Sequence, residues 1–222
     1  FSFTAEKSKP VSSGQLLDVL RGRISRHALQ PGQRIQEVQV ATEFGVSRTR
    51  VRDALGMLEQ RGLIERIPNR GAVVARLKPK EVFEIFDVRE VLEGLAVRLA
   101  TVNAPQGSWD DLIEKLGPEM AEKIEAGDIE SYLEVLEELR ERTLLWAGSA
   151  HISHFMGLVL DKARVIAQRV TLLPGRAKEG RELHHRMLLH MAAGEAAEAE
   201  NCKREIVQSA RACLERYQNL VF

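Results

Sequence analysis

Apolar residues recur every three to four positions along most of the chain, the spacing of helices that bury one face. Leu16, Leu17, Val19, Leu20 and Ile24 carry the pattern first and predict a helix over about Ser13 to Leu29, stopped before Pro31-Gly32. Val38, Val40 and Ala41 repeat it within Glu37 to Phe44. Gly45 then permits a sharp bend, Ser47 is a natural N-cap, and Val51, Leu55 and Leu58 form the inward stripe of a helix over Arg48 to Arg61. After Gly62 the period changes. Leu63 to Ile67 and Ala72 to Ala75 read as two short strands around Pro68-Asn69-Arg70-Gly71. From Lys80 onward six helical patterns succeed one another, roughly 80–103, 108–126, 128–147, 150–173, 177–193 and 195–219, with Pro105-Gln106-Gly107-Ser108 as the clearest loop.

This order predicts a mostly α protein: an N-terminal winged helix-turn-helix over residues 1–78, then an antiparallel six-helix bundle over 79–222. Charge separates at the same boundary. Residues 1–78 hold 14 Lys+Arg against 7 Asp+Glu, a charge of +7; the totals of 32 and 32 leave 18 against 25, a charge of −7, for the remainder. A basic first third points to a polyanion. Arg48, Thr49 and Arg52 fall on the outer face of the helix after the turn, where an arginine fork reaches guanine edges or phosphates. A merely solvated face is the plain alternative. Against it stand three arginines within five residues and no neighbouring acid except Asp53. At the wing tip, Asn69, Arg70 and Gly71 are placed to approach a minor groove or the sugar-phosphate backbone.

The segment PGQRIQEVQVATEFGVSRTRVRDALGMLEQRGLIERIPNRGAVV resembles the N-terminal domain of the GntR family of bacterial regulators over more than forty contiguous positions. The resemblance implies that Ser47, Arg48, Thr49, Arg50, Arg52 and the wing tip contact a double-stranded operator. It also implies a homodimer on a two-fold symmetric site. Some relatives place an arginine in the helix before the turn, where this chain has Val38 beside Glu37. Base preference therefore does not carry over.

FDVREVLEGLAVRLA and the six helical patterns of the second part resemble the FCD ligand-binding domain of the FadR-like branch. Many members of that branch hold a divalent metal with an Asp and a His one turn on, and with two further His. Aligned on Ala147-Gly148-Ser149 and Gly194-Glu195, those four positions are Leu136, Arg140, His184 and Ile206 here. One ligand type survives, so no metal cofactor is expected, with His184 the only retained candidate. His151, His154, His185 and His190 lack a partner at metal-ligand spacing. Arg89 and Arg140 fall on core-facing stripes. Either each is salt-bridged, Arg89 to Glu93 and Arg140 to Glu137 or Glu141, or both grip a small anionic metabolite with His184 as a further donor. The expected effector site is thus Arg89, Leu136, Arg140, His184 and Ile206.

The 222 residues are 44% hydrophobic, and no apolar run reaches the ~20 residues of a membrane span. FSFTAEKSKP has no export signal, so a cytoplasmic protein without membrane contact is expected; the missing initiator Met suggests truncation. Cys202 and Cys213 lie about 16 Å apart along one helix, too far for a disulfide, and are expected to be buried thiols. No Gly-rich phosphate loop, Ser-His-Asp order or CxxC pair is present, and the single Glu-x-x-His, Glu182 to His185, stands alone. The sequence therefore predicts a DNA-binding regulator, a repressor relieved or modified by an effector, and not an enzyme. The competing readings are a metal-dependent helical enzyme and a ligand-independent DNA-binding protein.

Overall fold

The computed structural model describes residues 12–25, 28–76 and 78–221, without side chains at 160, 161, 163–165, 168, 220 and 221. Contacts divide the chain into two units, one ending at Arg76 and one starting at Leu77.

In the first unit, α1 (Ser13–Ser25), α2 (Glu37–Phe44) and α3 (Arg48–Gln60) precede a hairpin of β1 (Ile64–Ile67) and β2 (Gly71–Val74). Leu16, Leu20, Val51, Leu55, Leu58 and Ile64 are almost fully buried, so the helix stripes and one strand share a single core. Gly45 adopts the left-handed region at φ 60°, which ends α2 and turns the chain into α3. The Arg50 N–H donates to the Ser47 hydroxyl at 3.3 Å, capping α3. Ser47→Ala is expected to cost about 1 kcal/mol, measured by urea unfolding of the full chain.

The expected first helix is too long: α1 ends at Ser25, and Ala28-Leu29 form a bend. Beyond that bend lies an extended segment that apolar spacing did not predict. The Gly32 N–H donates to the Val74 carbonyl (2.8 Å), Ile35 N–H to Ala72 (2.8 Å), and Val74 N–H to Gln33 (2.9 Å), so residues 32–35 lie antiparallel along β2. The wing is thereby pinned from both sides. β1 and β2 pair with Ile64 opposite Val74 and Ile67 opposite Gly71, and Asn69 takes a positive φ of 63° in the turn between them.

The second unit comprises α4 (Pro79–Asn103), α5 (Asp110–Lys115), α6 (Pro118–Glu125), α7 (Ile129–Ala147), α8 (Ala150–Thr171), α9 (Arg176–Ala192), α10 (Ala196–Arg216) and α11 (Gln218–Val221). Eight helices are thus described where six were expected. The helix predicted over 108–126 is two, because Pro118 supplies no N–H to continue a helix and Gly117 is extended (φ −70°, ψ −161°). A Cβ at Gly117 would lie 2.8 Å from the Glu114 carbonyl. The helix predicted over 195–219 ends at Arg216, one residue before the Tyr217 cap. Trp109, Leu112, Leu116, Tyr132, Met187, Leu188 and Ala199 make one continuous core across α5, α7, α9 and α10. Cys202 is buried, but Cys213 is only half-buried.

Candidate functional site

On α3, Arg48, Thr49 and Arg52 are exposed, as the inward stripe of Val51, Leu55 and Leu58 requires; Arg50 is half-buried. Ser47 is exposed and its hydroxyl is engaged as the cap. Asn69, Arg70 and Gly71 are exposed at the tip of the wing. The expectation that these arginines have no acid but Asp53 is wrong. Glu37 on α2 accepts from Arg52 Nε at 2.9 Å and lies 3.5 Å from Arg48 Nη2. Local sequence gives no sign of this partner, which lies 11 and 15 residues away, across the Gly45 turn.

The second candidate site is a small, partly open pocket of about 40 Å³ between α4, α7, α8, α9 and α10. Its polar groups are Glu93, Arg140, Thr143, His184 and Lys203; Leu136, Leu139, Met156 and Met187 supply much of the apolar wall. Leu136, Arg140 and His184 therefore meet as expected. Arg89 and Ile206 do not line the pocket. Ile206 is buried in the core, and its carbonyl accepts from Arg176 Nη2 at 3.2 Å. Arg89 is bound to Glu93 (Nε to Oε1, 2.6 Å) and lies 5.3 Å from the Phe86 ring centre. Lys203, one turn before Ile206, is the α10 residue that lines the pocket.

Both arginines are salt-bridged, Arg89 to Glu93 and Arg140 to Glu137. Uncompensated buried charge is therefore no sign of a ligand here, and the pocket itself has to carry any effector reading. Glu93 is buried and joins Arg89 to Lys203, whose Nζ lies 2.8 Å from its Oε2. Burial by itself raises a carboxyl, yet the charges and hydrogen bonds of Arg89 and Lys203 overcome this and hold Glu93 well below the usual carboxylate range. His184 is buried, and its Nδ1–H donates to the Gly180 carbonyl at 2.7 Å. Burial first, and Lys203 second, lower it to about 3. The ring is consequently neutral, and Nε2 is an acceptor rather than the expected donor. Tyr132 packs edge-on against it, with the hydroxyl 3.2 Å from Nδ1. Gly180 makes room for that hydroxyl: a Cβ there would lie 2.9 Å from it.

The helix-turn-helix and wing coincide with a match to the bacterial regulatory proteins of the gntR family over residues 13–74, and an FCD domain model matches residues 84–209. The chain belongs to the GntR family. An HTH-type transcriptional regulator of Agrobacterium vitis, from the TAR-I ttuE-ttuC' intergenic region, is 36% identical over 87 residues, 39% of this chain and 51% of that protein, so the match spans about half of its length. The Nta operon transcriptional regulator of Aminobacter aminovorans is 30% identical over 77% of this chain and 76% of its own. The E. coli McbR/YncC structure has the same fold, with a TM-score of 0.79 at 24% identity over 92% of this chain and 98% of that one. This GntR protein therefore joins a helix-turn-helix domain to an FCD domain.

The donor chemistry of this FCD pocket does not fit the divalent metal found in many of its relatives. Of the four aligned positions only His184 offers a lone pair, and Arg140 and Lys203 bring two permanent or near-permanent cations to the same cavity. Among the described residues no three His, Cys, Asp or Glu are grouped to hold an ion. His190 meets one carboxylate, Glu195, across the Gly194 turn, 2.6 Å from Nδ1. His151 and His154 are exposed on α8.

Proposed function

We propose that this GntR regulator is a repressor that reads a two-fold symmetric operator as a homodimer, and that a small anionic metabolite in the α4–α10 pocket alters its affinity for DNA. Arg48, Thr49, Arg50, Arg52 and the wing residues Asn69, Arg70 and Gly71 make the DNA contacts, with Ser47 fixing the start of α3. The observation that carries the effector half is the pocket itself: an apolar cavity into which Arg140 and Lys203 bring positive charge. The Arg140 carboxylate partner, Glu137, is 37% exposed, so a ligand carboxylate can replace it at small cost. Neutral His184 accepts a hydrogen bond from a hydroxyl or amine on the same ligand. The ligand acts by binding two arrangements of the regulator unequally. The site works without metal, and the protein acts in the cytoplasm; no described helix is long and apolar enough to cross a membrane.

The test is thermal unfolding of the full chain with small carboxylates, sulfonates and phosphates, in chelator and separately with zinc or nickel. At 100 times its dissociation constant, an anion is expected to stabilise by about 2.7 kcal/mol, or roughly 5–10 °C, in the presence of chelator. Arg140→Leu is expected to abolish the shift. Stabilisation only with metal would sink the metal-free site, and no response to any anion would favour a ligand-independent regulator.

A further inference from the structure

A recessed carboxylate lies beside the two most exposed arginines of the reading helix. Arg48 and Arg52 stand one helical turn apart on the exposed face of α3, with side chains 59% and 55% exposed. Glu37, in the first turn of α2, is 23% exposed and so is recessed behind both guanidinium groups. Its Oε2 takes the Nε–H of Arg52 at 2.9 Å and lies 3.5 Å from Arg48 Nη2. A guanidinium has five N–H donors in a rigid plane. Engaging Arg52 through Nε leaves the two terminal amino groups, the end that grips guanine O6 and N7 in a bidentate fashion. Exposed ion pairs contribute little to stability, so fold maintenance is a poor account of this one.

We propose that Glu37 is a positioning residue for base reading, holding Arg52 by its Nε edge so that its forked end faces the major groove, while its negative charge weakens attachment to DNA of any sequence. The two consequences run in opposite directions. Fixing the fork before binding removes rotamer freedom that would otherwise be lost on contact with the correct base. The carboxylate also cancels part of the phosphate attraction of Arg48 and Arg52, which acts on every sequence alike. Glu37 thus widens the gap between operator and random DNA from both sides.

The inference rests on α3 being the reading helix, and the experiment separates the two. Full-length wild type, Arg52→Ala, Arg52→Lys and Glu37→Gln are each selected against a random duplex library, and each is titrated with salt on one scrambled duplex. Circular dichroism checks that the variants keep the wild-type helix content. Arg52→Ala is expected to erase the preference at one base position in each half-site; if it leaves the motif intact, the reading of α3 fails. Arg52→Lys keeps the charge but lacks the fork, and is expected to lose the same preference. Glu37→Gln is expected to weaken preference at that position roughly tenfold. On the scrambled duplex it is expected to bind more tightly, with a salt slope steeper by about 0.9. Equal tightening on all sequences with an unchanged motif would reduce Glu37 to a charge effect and overturn the positioning role. An unchanged motif and slope together would leave a surface ion pair only.

Discussion

Glu93→Leu is expected to lower the midpoint of thermal unfolding by roughly 6–20 °C, the equivalent of about 3–5 kcal/mol for breaking a buried ion pair in a chain of this size. The variant leaves Arg89 and Lys203, both largely buried, without their shared carboxylate. The same physics makes the triple replacement Arg89→Leu, Glu93→Leu, Lys203→Met much milder, because desolvating the charges costs about as much as their attraction returns. Scanning calorimetry of the two proteins decides the matter. Similar midpoints for Glu93→Leu and wild type would mean that Lys203 and Arg89 find other partners. The triad is thus a positional device: it fixes the Lys203 amine at the wall of the cavity, where an anion would meet it.

The second large effect is acid lability from His184. Its folded value, about 3, lies below the 6.5 of an exposed histidine, so between these limits only the unfolded chain takes up the proton. Stability is fully present above pH 6.5 and is lost as pH falls toward 3, at up to 1.36 kcal/mol per pH unit, several kcal/mol in all. Urea unfolding from pH 7.5 to 4.5 is expected to show this slope in wild type and to lose most of it in His184→Gln. His185, lowered by partial burial and by Arg181, acts in the same direction, and His185→Gln measures its share. Glu93 adds to the loss only below about 4.5, where the unfolded chain first protonates that carboxyl. A wild-type slope near zero above pH 4.5 would show that His184 is solvated in solution.

Much of the DNA-reading half was legible in the sequence because its determinants are local. The Gly45 turn, the Ser47 cap, the Val51-Leu55-Leu58 stripe and the Ile64–Val74 hairpin each depend on residues within a few positions of one another. The extra pairing of residues 32–35 with β2 has no such signature, since its hydrogen bonds are made by backbone some forty residues apart in sequence. In the helical half, period and breakers placed the long helices. They failed at Gly117-Pro118 because an apolar rhythm that persists on both sides of a proline reads as one helix.

What the sequence determined by itself was class and order: a basic reading module followed by an all-helical second unit. Partnership was decided by the tertiary structure alone. Glu37 under Arg52, Glu93 between Arg89 and Lys203, and Gly180 turning His184 into an acceptor are contacts across helices or down one helix face. Helical periodicity ranks which face of a helix is buried, but a facing helix sets which residue meets a given charge. A rotation or slide of one turn leaves the apolar rhythm unchanged while it exchanges Ile206 for Lys203 at the cavity wall.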